Sequence, residues 1–555
     1  MLPRAICLLF LALALQAQQP AAAKAARTFQ ISGTLVHALN GGPIAGAEVM
    51  ITTNETNDAP FQNTVTDAGG RFLFKSVAPG KYVLTARHRG FPQQALDAHG
   101  PFSTAVAVGS DKNSENLLFP LKPEGSISGR VTDEQGDAIR GAEVMLFVRN
   151  VETGARTINL TMHAGTDDQG AYHFGHLPAG TYFVAVSAQP WYAQHTQWGG
   201  PSADGLTPAV SDNPELDVAY PITYYRETTE GDQANPLTMG WGDQLTADIT
   251  LRAVPALHLL LTNQNPDSHF SIAGANLKQT LIGGNETFVE FVETAVENVD
   301  PSGIEISGIA PGRYDVGVET TKEKDGGVGS SPRHQTANIS SSGSLDASAG
   351  SELATVSGTV IFEDQAQPPE ATLQFHSRES GQHIEIPVSA KGEIQSPDQG
   401  EIQSPEISPG RYDLLLLSSG GFIFKSISAV NAKVKGQSIE ISGPDHVQLT
   451  LVASRGTGQV EGVVLRDNKP AAGAMIVLVP QDAADNWPLF RRDQSDSDGT
   501  FTLSAVLPGK YTVLAIENGW DLEWANPAVL QPYMLKGETV QVESNRKSDI
   551  KIKLQ

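Results

Sequence analysis

Histidine and acidic side chains are the residues of this sequence that could carry metal chemistry. A zinc peptidase uses a His-Glu-x-x-His segment, in which the two histidines hold the metal and the carboxylate activates water. None of the thirteen histidines lies in such a segment. His173 and His176 are close enough in sequence to share an ion, but strand alternation places His173 on the face opposite Tyr172 and Phe174. We therefore predict no metal, no cofactor and no catalytic residue.

Three aspartates near the C-terminal end, Asp493, Asp496 and Asp498, precede Gly499 in an arrangement that resembles part of a calcium loop. A calcium loop is closed by a carboxylate that binds through both of its oxygens, and that carboxylate is not at the required spacing here. Aspartate is also a frequent turn residue, because its side chain accepts hydrogen bonds from the backbone that follows. Turn formation is therefore the prediction for this segment.

Aromatic residues between positions 191 and 241 form the candidate ligand site. Exposed indole and phenol rings stack on sugar faces, because apolar C–H groups meet the π cloud while the hydroxyls stay solvated. The alternative is a covering loop that packs these rings on its own domain. The candidate ligand-binding residues are Trp191, Tyr192, Trp198, Tyr224, Tyr225 and Trp241, with Tyr220 beside them and a smaller group of Trp487, Trp520 and Trp524.

An internal repeat must position these side chains. A Pro-Gly-x-Tyr motif, with one extra alanine in the second copy, recurs five times and predicts a chain reversal, since Pro presets φ and Gly accepts a positive φ. Each tyrosine begins an alternating apolar run, which indicates a half-buried strand with the ring in the core. The repeated tyrosines are Tyr82, Tyr182, Tyr314, Tyr412 and Tyr511.

The repeat has further shared features. Ser-Gly occurs in the first strand at Ser32-Gly33, Ser128-Gly129 and Ser357-Gly358, and Gly-Ala-Glu-Val occurs in the second strand of the first two copies. An Asp-x-x-Gly-x-Tyr/Phe hairpin precedes the Pro-Gly-x-Tyr turn. Together these motifs resemble the carboxypeptidase regulatory-like domain. The resemblance implies a transthyretin-like, or carbohydrate-binding-like, sandwich, and it implies no peptidase activity.

The fold class that follows is all-β, a tandem array of about five prealbumin-like or Ig-like β-sandwich modules. Short connections between modules favour an elongated, fairly stiff array. A Gly/Ser-rich stretch from Lys324 to Ser351 is interpreted as a linker and hinge. The predicted divisions are a signal peptide at 1–20, module 1 at 28–123, module 2 with its aromatic extension at 124–253, module 3 at 254–352, module 4 at 353–454 and module 5 at 455–555.

Composition limits the partners and the compartment. Arg4, the apolar run from Ala5 to Leu15 and the small residues that follow have the order of a signal peptide, so we predict export to the periplasm, outer surface or extracellular space. Cys7 is the one cysteine and would leave with that segment. The formal net charge of −24 makes nucleic acid and anionic membrane poor partners. No later segment is apolar enough to predict a transmembrane anchor.

Two functions remain open at this point. The first is a secreted, non-catalytic binding or scaffold protein of the cell envelope, with polysaccharide as the expected ligand because the resemblance and the aromatic cluster agree. The second is a purely structural spacer or an assembly module that engages an envelope protein through a sheet edge. Binding of glycans by purified protein would separate the two.

Overall fold

The computed structural model describes residues 27–53, 61–112, 114–195, 213–264, 271–283, 296–299, 303–324, 327–363, 369–377, 383–389, 391–394, 406–418 and 421–555. The predicted signal peptide and Trp198 lie outside the described residues. Strands dominate the described chain, and its one α-helix is α1 (Pro527–Met534). The all-β prediction is therefore confirmed.

Module 1 and module 2 carry the first eighteen strands. The strands of module 1 are β1 (Phe29–His37), β2 (Glu48–Thr52), β3 (Gln62–Val65), β4 (Arg71–Val77), β5 (Gly80–His88), β6 (Phe91–Ala95), β7 (Val106–Val108) and β8 (Leu117–Leu121). Those of module 2 are β9 (Gly125–Thr132), β10 (Glu143–Asn150), β11 (Thr157–Gly165), β12 (Ala171–Leu177), β13 (Gly180–Ser187), β14 (Val218–Ala219), β15 (Thr223–Tyr224), β16 (Leu237–Met239), β17 (Gln244–Thr246) and β18 (Ile249–Thr250).

Modules 3 and 4 carry the next eighteen strands of the described residues. The strands of module 3 are β19 (Val254–Pro255), β20 (Leu257–Thr262), β21 (Ser271–Gln279), β22 (Val296–Val299), β23 (Gly303–Ile309), β24 (Gly312–Lys324), β25 (Gly327–Ile339), β26 (Gly343–Asp346) and β27 (Ser351–Glu352). Those of module 4 are β28 (Ala354–Phe362), β29 (Ala371–Ser377), β30 (His383–Val388), β31 (Glu406–Ile407), β32 (Gly410–Ser418), β33 (Ile423–Val430), β34 (Lys433–Lys435), β35 (Ser438–Ile441) and β36 (His446–Ser454).

Module 5 ends the chain and contains α1. Its strands are β37 (Gly458–Arg466), β38 (Lys469–Pro470), β39 (Met475–Pro480), β40 (Arg491–Gln494), β41 (Thr500–Val506), β42 (Gly509–Ile516), β43 (Glu538–Val542) and β44 (Lys547–Lys553). Short 3-10 turns at Gly231–Gln233, Ala347–Ala349, Trp487–Leu489 and Gly519–Asp521 complete the described secondary structure.

One two-sheet plan recurs in every module. In the first sheet, the opening strand lies between an antiparallel strand and the parallel closing strand, as in the order β4-β1-β8 and again in β41-β37-β44. In the second sheet, the tyrosine strand pairs with the second strand, as in β5 with β2 and β42 with β39. Five hydrophobic clusters fill the spaces between the sheets, each drawn from one stretch of chain. The module boundaries themselves stay a prediction.

The repeated tyrosines hold the same position in all five copies. Each hydroxyl donates a hydrogen bond to the backbone carbonyl four residues earlier, so the ring fixes the preceding turn from inside the sandwich. For Tyr182 the O···O distance to Pro178 is 2.8 Å, and the side chain is almost fully buried. Burial raises the pKa of Tyr182 to about 12. The predicted packing role of these rings is confirmed.

The Ser-Gly motif has a packing cause. A Cβ on Gly33 would lie 2.4 Å from the Leu117 carbonyl oxygen and 2.6 Å from the Phe72 ring. The same close approach occurs at Gly462, whose neighbours are Ile550 and Phe501. In modules 1 and 5 the aromatic ring of the hairpin therefore packs over the glycine, whereas in module 4 the neighbour of Gly358 is Leu449. Module 3 has Leu261 in this register, opposite Ile304, so it needs neither residue.

The interpretation of Lys324 to Ser351 as a linker is wrong. β24 and β25 pair along thirteen residues each, from Gly312 opposite Ile339 to Lys324 opposite Gly327. β26 then pairs in parallel with β20 and closes the first sheet of module 3. Small polar residues suggested flexibility, but in a long hairpin the backbone hydrogen bonds are made whatever the side chains are.

The expectation of an elongated array is also wrong, because the chain returns on itself. Module 5 contacts module 1, where Lys81 lies 2.5 Å from Asp496. It also contacts module 2, where the Trp524 indole donates to the Val151 carbonyl. Short links restrict the angle between neighbouring modules. The angles between successive modules add up along the chain, so distant modules can still come into contact.

Candidate functional site at the junction of modules 1, 2 and 5

The predicted aromatic site of module 2 is divided between separate places. Trp191 is 93% exposed and makes an edge-to-face contact with Tyr192, with ring centroids 5.7 Å apart. Tyr225 packs against the core of module 2, and Arg226 lies over its ring. Tyr192 is partly buried, so Trp191 is the most exposed ring of this pair.

Tyr224 and Trp241 lie elsewhere. Tyr224 is 2% exposed, and its hydroxyl accepts a hydrogen bond from the Ile282 backbone at 3.1 Å. A ring buried to this degree has no face for a sugar, so the proposed ligand role of Tyr224 is corrected to core packing. Trp241 follows β16, is partly buried, and has the Lys122 ammonium 5.0 Å from its ring centroid. The structure therefore places Trp241 at the boundary with module 1.

The histidine pair of module 2 does not converge. His173 is exposed on the face opposite Tyr172 and Phe174, as the alternation predicted. His176 is exposed and lies 2.6 Å from the Glu124 carboxylate. Within the described part of the chain, no group of three or more His, Cys, Asp or Glu side chains has a geometry that could hold a metal ion.

The aspartates of module 5 form turns and also bind module 1. The Asp496 backbone amide donates to the Thr500 carbonyl across the turn. Its carboxylate pairs with Lys81 at 2.5 Å and accepts from the Ala105 amide at 3.1 Å. Asp498 pairs with Lys112 at 2.7 Å. Two lysine ammonium groups of module 1 therefore occupy the neighbourhood that a calcium ion would need.

Aromatic stacking strengthens this contact. The His99 imidazole of module 1 lies parallel to the Trp520 indole of module 5, with centroids 4.5 Å apart and planes 5° apart. The Arg492 guanidinium lies over both Trp520 and Phe102. Gln494 completes the contact, because its amide donates to the Asp97 carbonyl at 2.8 Å.

The remaining tryptophans of module 5 bind module 2. The Trp487 indole donates to the Thr153 carbonyl at 2.9 Å, and the Trp524 indole donates to the Val151 carbonyl at 2.8 Å. Gly154 approaches Ala525 closely in the same region. The smaller aromatic group predicted as a sugar platform therefore serves as a set of contacts between modules.

A cleft of about 1020 Å³ lies where modules 1, 2 and 5 meet. Module 1 supplies most of its walls from β6, the segment after β6, and β8. Trp241 closes the side toward module 2, and Asp493 closes the side toward module 5. Gln94 joins β6 to β8, since its amide donates to the Lys122 carbonyl and its oxygen accepts from the Lys122 amide.

Asp493 is the most perturbed acid of this cleft. Burial raises its pKa to about 6, opposed by hydrogen bonds from the Thr502 and Gln494 amides at 2.7 and 2.8 Å. Burial also raises the pKa of Asp496, opposed by its bond to Lys81. The cleft thus combines an aromatic wall with a half-buried carboxyl group.

Sequence reasoning missed the module 1 side of this junction. Lys81 is the variable residue of the first Pro-Gly-x-Tyr motif, and His99 lies in a segment without periodicity. Their partners are about 400 residues away, and no local pattern links the two ends. The one signal in the sequence was the close spacing of Asp493, Asp496 and Asp498, because a turn requires fewer than three carboxylates.

Comparisons with known proteins agree with the resemblance. Residues 30–117 and 126–252 match the model of the carboxypeptidase regulatory-like domain family. BOS complex subunit NOMO1 of Mus musculus is 28% identical over 174 residues, which is 28% of this chain and 13% of that protein. Serine-aspartate repeat-containing protein F of Staphylococcus epidermidis is 25% identical over 27% of this chain and 10% of that protein.

Among solved structures, GBS52, the minor pilin of Streptococcus agalactiae, aligns with 15% identity and a TM-score of 0.19, covering 43% of this chain and 100% of that chain. The match spans only 13% of the length of NOMO1 and 10% of the length of the serine-aspartate repeat-containing protein. None of the helices in the described residues has the length and apolar character that crossing a membrane requires.

Proposed function

We propose that this chain is an exported, non-catalytic scaffold of the cell envelope that works through protein–protein assembly. The observation that carries the proposal is the closed contact of module 5 with modules 1 and 2. A spacer needs length alone, whereas these contacts use stacked rings, ion pairs and buried amides to fix three modules as one body. A fixed body presents its outer surfaces in a constant arrangement, which is what an assembling partner requires.

The relatives support the same class of function. One relative is by its printed name a subunit of a complex, and another is a serine-aspartate repeat-containing protein. Export is supported by the apolar N-terminal segment of the sequence, which has the order of a signal peptide. The site residues also suit this role, since Trp487, Trp520 and Trp524 join modules instead of facing a substrate.

Chemical cross-linking of intact producing cells tests the proposal. We expect the chain in discrete higher-mass adducts with a protein of the envelope. A matched pair of variants links the adducts to the closed body. Lys81→Asp opposes two carboxylates and should open the contact with Asp496, while Lys81→Asp combined with Asp496→Lys restores the opposite charges. The proposal is contradicted if the wild type forms no adducts, or if the adducts are the same in the wild type and in both variants.

A polysaccharide ligand is the second candidate function, and one observation favours it. The cleft between modules 1, 2 and 5 places the Trp241 ring and the Asp493 carboxyl group in the same cavity. Glycan binding by the purified chain, measured by calorimetry, tests this candidate separately from assembly, because calorimetry needs no protein partner.

A further inference from the structure

The cleft has the size and position of a ligand site. Its volume of about 1020 Å³ reaches the upper end of what small-molecule sites occupy, and such sites occur preferentially at domain interfaces. Three modules contribute to its walls, so the cavity exists only when the chain is closed. Leu118 of β8 faces outward beside it and is 65% exposed, which adds an apolar surface to the Trp241 wall.

The polar groups of the cleft differ in how fully they are used. Lys81 is paired with Asp496, and both ends of the Gln94 amide are bound to Lys122. Asp493 accepts two backbone hydrogen bonds and makes no ion pair within the described residues. A carboxylate has about four lone-pair positions, so Asp493 can accept further hydrogen bonds from a ligand.

The edges of the cleft disfavour a peptide occupant. A peptide would bind most simply by adding a strand to β6 or β8, which are the edge strands of their sheets. Pro92 lies in β6 and Pro120 lies in β8, and a proline cannot donate the backbone hydrogen bond that an added strand needs. Recognition must then come from side chains.

We propose that this cleft binds an uncharged glycan, with the face of Trp241 opposite Lys122 as the stacking surface and Asp493 as the acceptor for sugar hydroxyls. The inference rests on the second candidate function and adds the place and the ligand class. An aromatic ring meets the apolar C–H face of a sugar, and a carboxylate accepts from its hydroxyls. The ligand is uncharged because the cavity lining sets Asp97, Asp493 and Asp496 against Lys81 and Lys122, in a chain whose net charge of −24 disfavours an acidic ligand.

The test compares two tryptophans of module 2 in the full chain. A panel of soluble polysaccharides, with uncharged glucans, mannans and xylans against acidic polygalacturonate, is measured by affinity electrophoresis and calorimetry. Trp241→Ala should weaken binding of the uncharged polysaccharide about tenfold to a hundredfold, on the scale of aromatic stacking on a nucleobase. Trp191 is not among the residues that line the cleft, so Trp191→Ala removes the same side chain from outside the proposed site and should leave binding unchanged.

A second variant keeps the test valid if Trp241→Ala alters folding. Asp493→Asn keeps the size of the side chain, although its one amide oxygen can accept from only one of the Gln494 and Thr502 amides. It should weaken binding about fivefold or more, because it removes a charged acceptor. Binding that survives both variants, or that is lost in Trp191→Ala, overturns this site while a glycan function stands. Binding of polygalacturonate without binding of any uncharged polysaccharide overturns the ligand class. Binding of a peptide that no polysaccharide displaces, and that neither variant weakens, also overturns it. Absence of binding to every polysaccharide overturns the site and the glycan function together.

Discussion

His258 should make the contact between modules 2 and 3 dependent on pH. Its side chain is 6% exposed and lies between two carboxylates, with Nε2 2.7 Å from Asp217 and Nδ1 3.0 Å from Glu305. His195 contacts Asp217 from the other side at 3.2 Å. A neutral imidazole can donate from one nitrogen only, so both bonds are made as donors only when His258 is protonated.

The hydrogen bond to Glu305, followed by that to Asp217, raises the pKa of His258 against the opposing effect of burial. A raised pKa in the folded state means that the stabilisation is complete below the unfolded value of about 6.5 and is lost as the pH rises through the folded value. One proton changes the free energy of unfolding by at most about 1.4 kcal/mol per pH unit in that window. Separation of modules 2 and 3 at this contact should therefore become easier as the pH rises.

Replacing His258 by glutamine removes the cation, so Glu305 loses its ion pair with His258 while Asp217 keeps its contact with His195. Breaking a buried ion pair in this way costs about 3–5 kcal/mol. We expect this loss at pH 6 and a smaller difference from the wild type at alkaline pH. A chain of several modules does not unfold in one step, so the measurement is hydrogen exchange of the β14 and β20 amides across pH.

His163 provides the control. Like His258 it is paired with a carboxylate, in this case that of Glu143 alone, but its side chain is 52% exposed. His163→Gln should change exchange by less than about 1 kcal/mol, as expected of an exposed pair. The reasoning is refuted if β14 and β20 exchange with the same pH dependence in the wild type and in His258→Gln, or if the control variant produces the larger effect.

Three further outcomes follow from the repeat and from the closed body. Tyr182→Ala should destabilise module 2 by about 3–5 kcal/mol, because a large buried ring is lost, and Tyr182→Phe by about 1 kcal/mol, because only the hydroxyl is lost, as measured by denaturant unfolding. A zero-length carbodiimide cross-linker should join Lys81 to Asp496 and Lys112 to Asp498, and peptide mass analysis without either link contradicts the closed body. Calcium or a chelator should leave the melting temperature of module 5 unchanged, since lysines hold these aspartates, and a calcium-dependent rise of several degrees contradicts this.

The parts of the fold that the sequence predicts well are those with local causes. Tyr182 follows a Pro-containing turn and begins an apolar alternation, and both signals are complete within ten residues. The far part of the hairpin of β24 and β25 lacked such a signal, because the sequence from Lys324 to Pro332 is rich in Gly and Ser and has no apolar alternation. Tyr314, Val316, Val318 and Ile339 hold the near part in the core, and backbone pairing continues from there to Lys324 opposite Gly327. Composition therefore favoured the wrong interpretation of a linker.

The candidate site was predicted only in part, for a related reason. Trp241 was recognised as an aromatic candidate, but its neighbour Lys122 belongs to another module, and Asp493 comes from the far end of the chain. Trp241 and Tyr224 are close in sequence and were predicted as parts of one site. In the fold, Trp241 lies at a module boundary and Tyr224 lies in the core. Proximity in sequence therefore predicted residue type without predicting the site.

Closure of the chain gives the two proposed functions a common physical basis. The contacts of module 5 use Asp496, Gln494 and Trp520, and the same strand that places Gln494 against module 1 places Asp493 in the cleft. A partner that binds the closed body more tightly than the open one stabilises the cleft, and a glycan that fills the cleft stabilises the closed body. By linkage, the factor by which the partner strengthens glycan binding equals the factor by which the glycan strengthens partner binding. Assembly and glycan binding are therefore expected to strengthen each other.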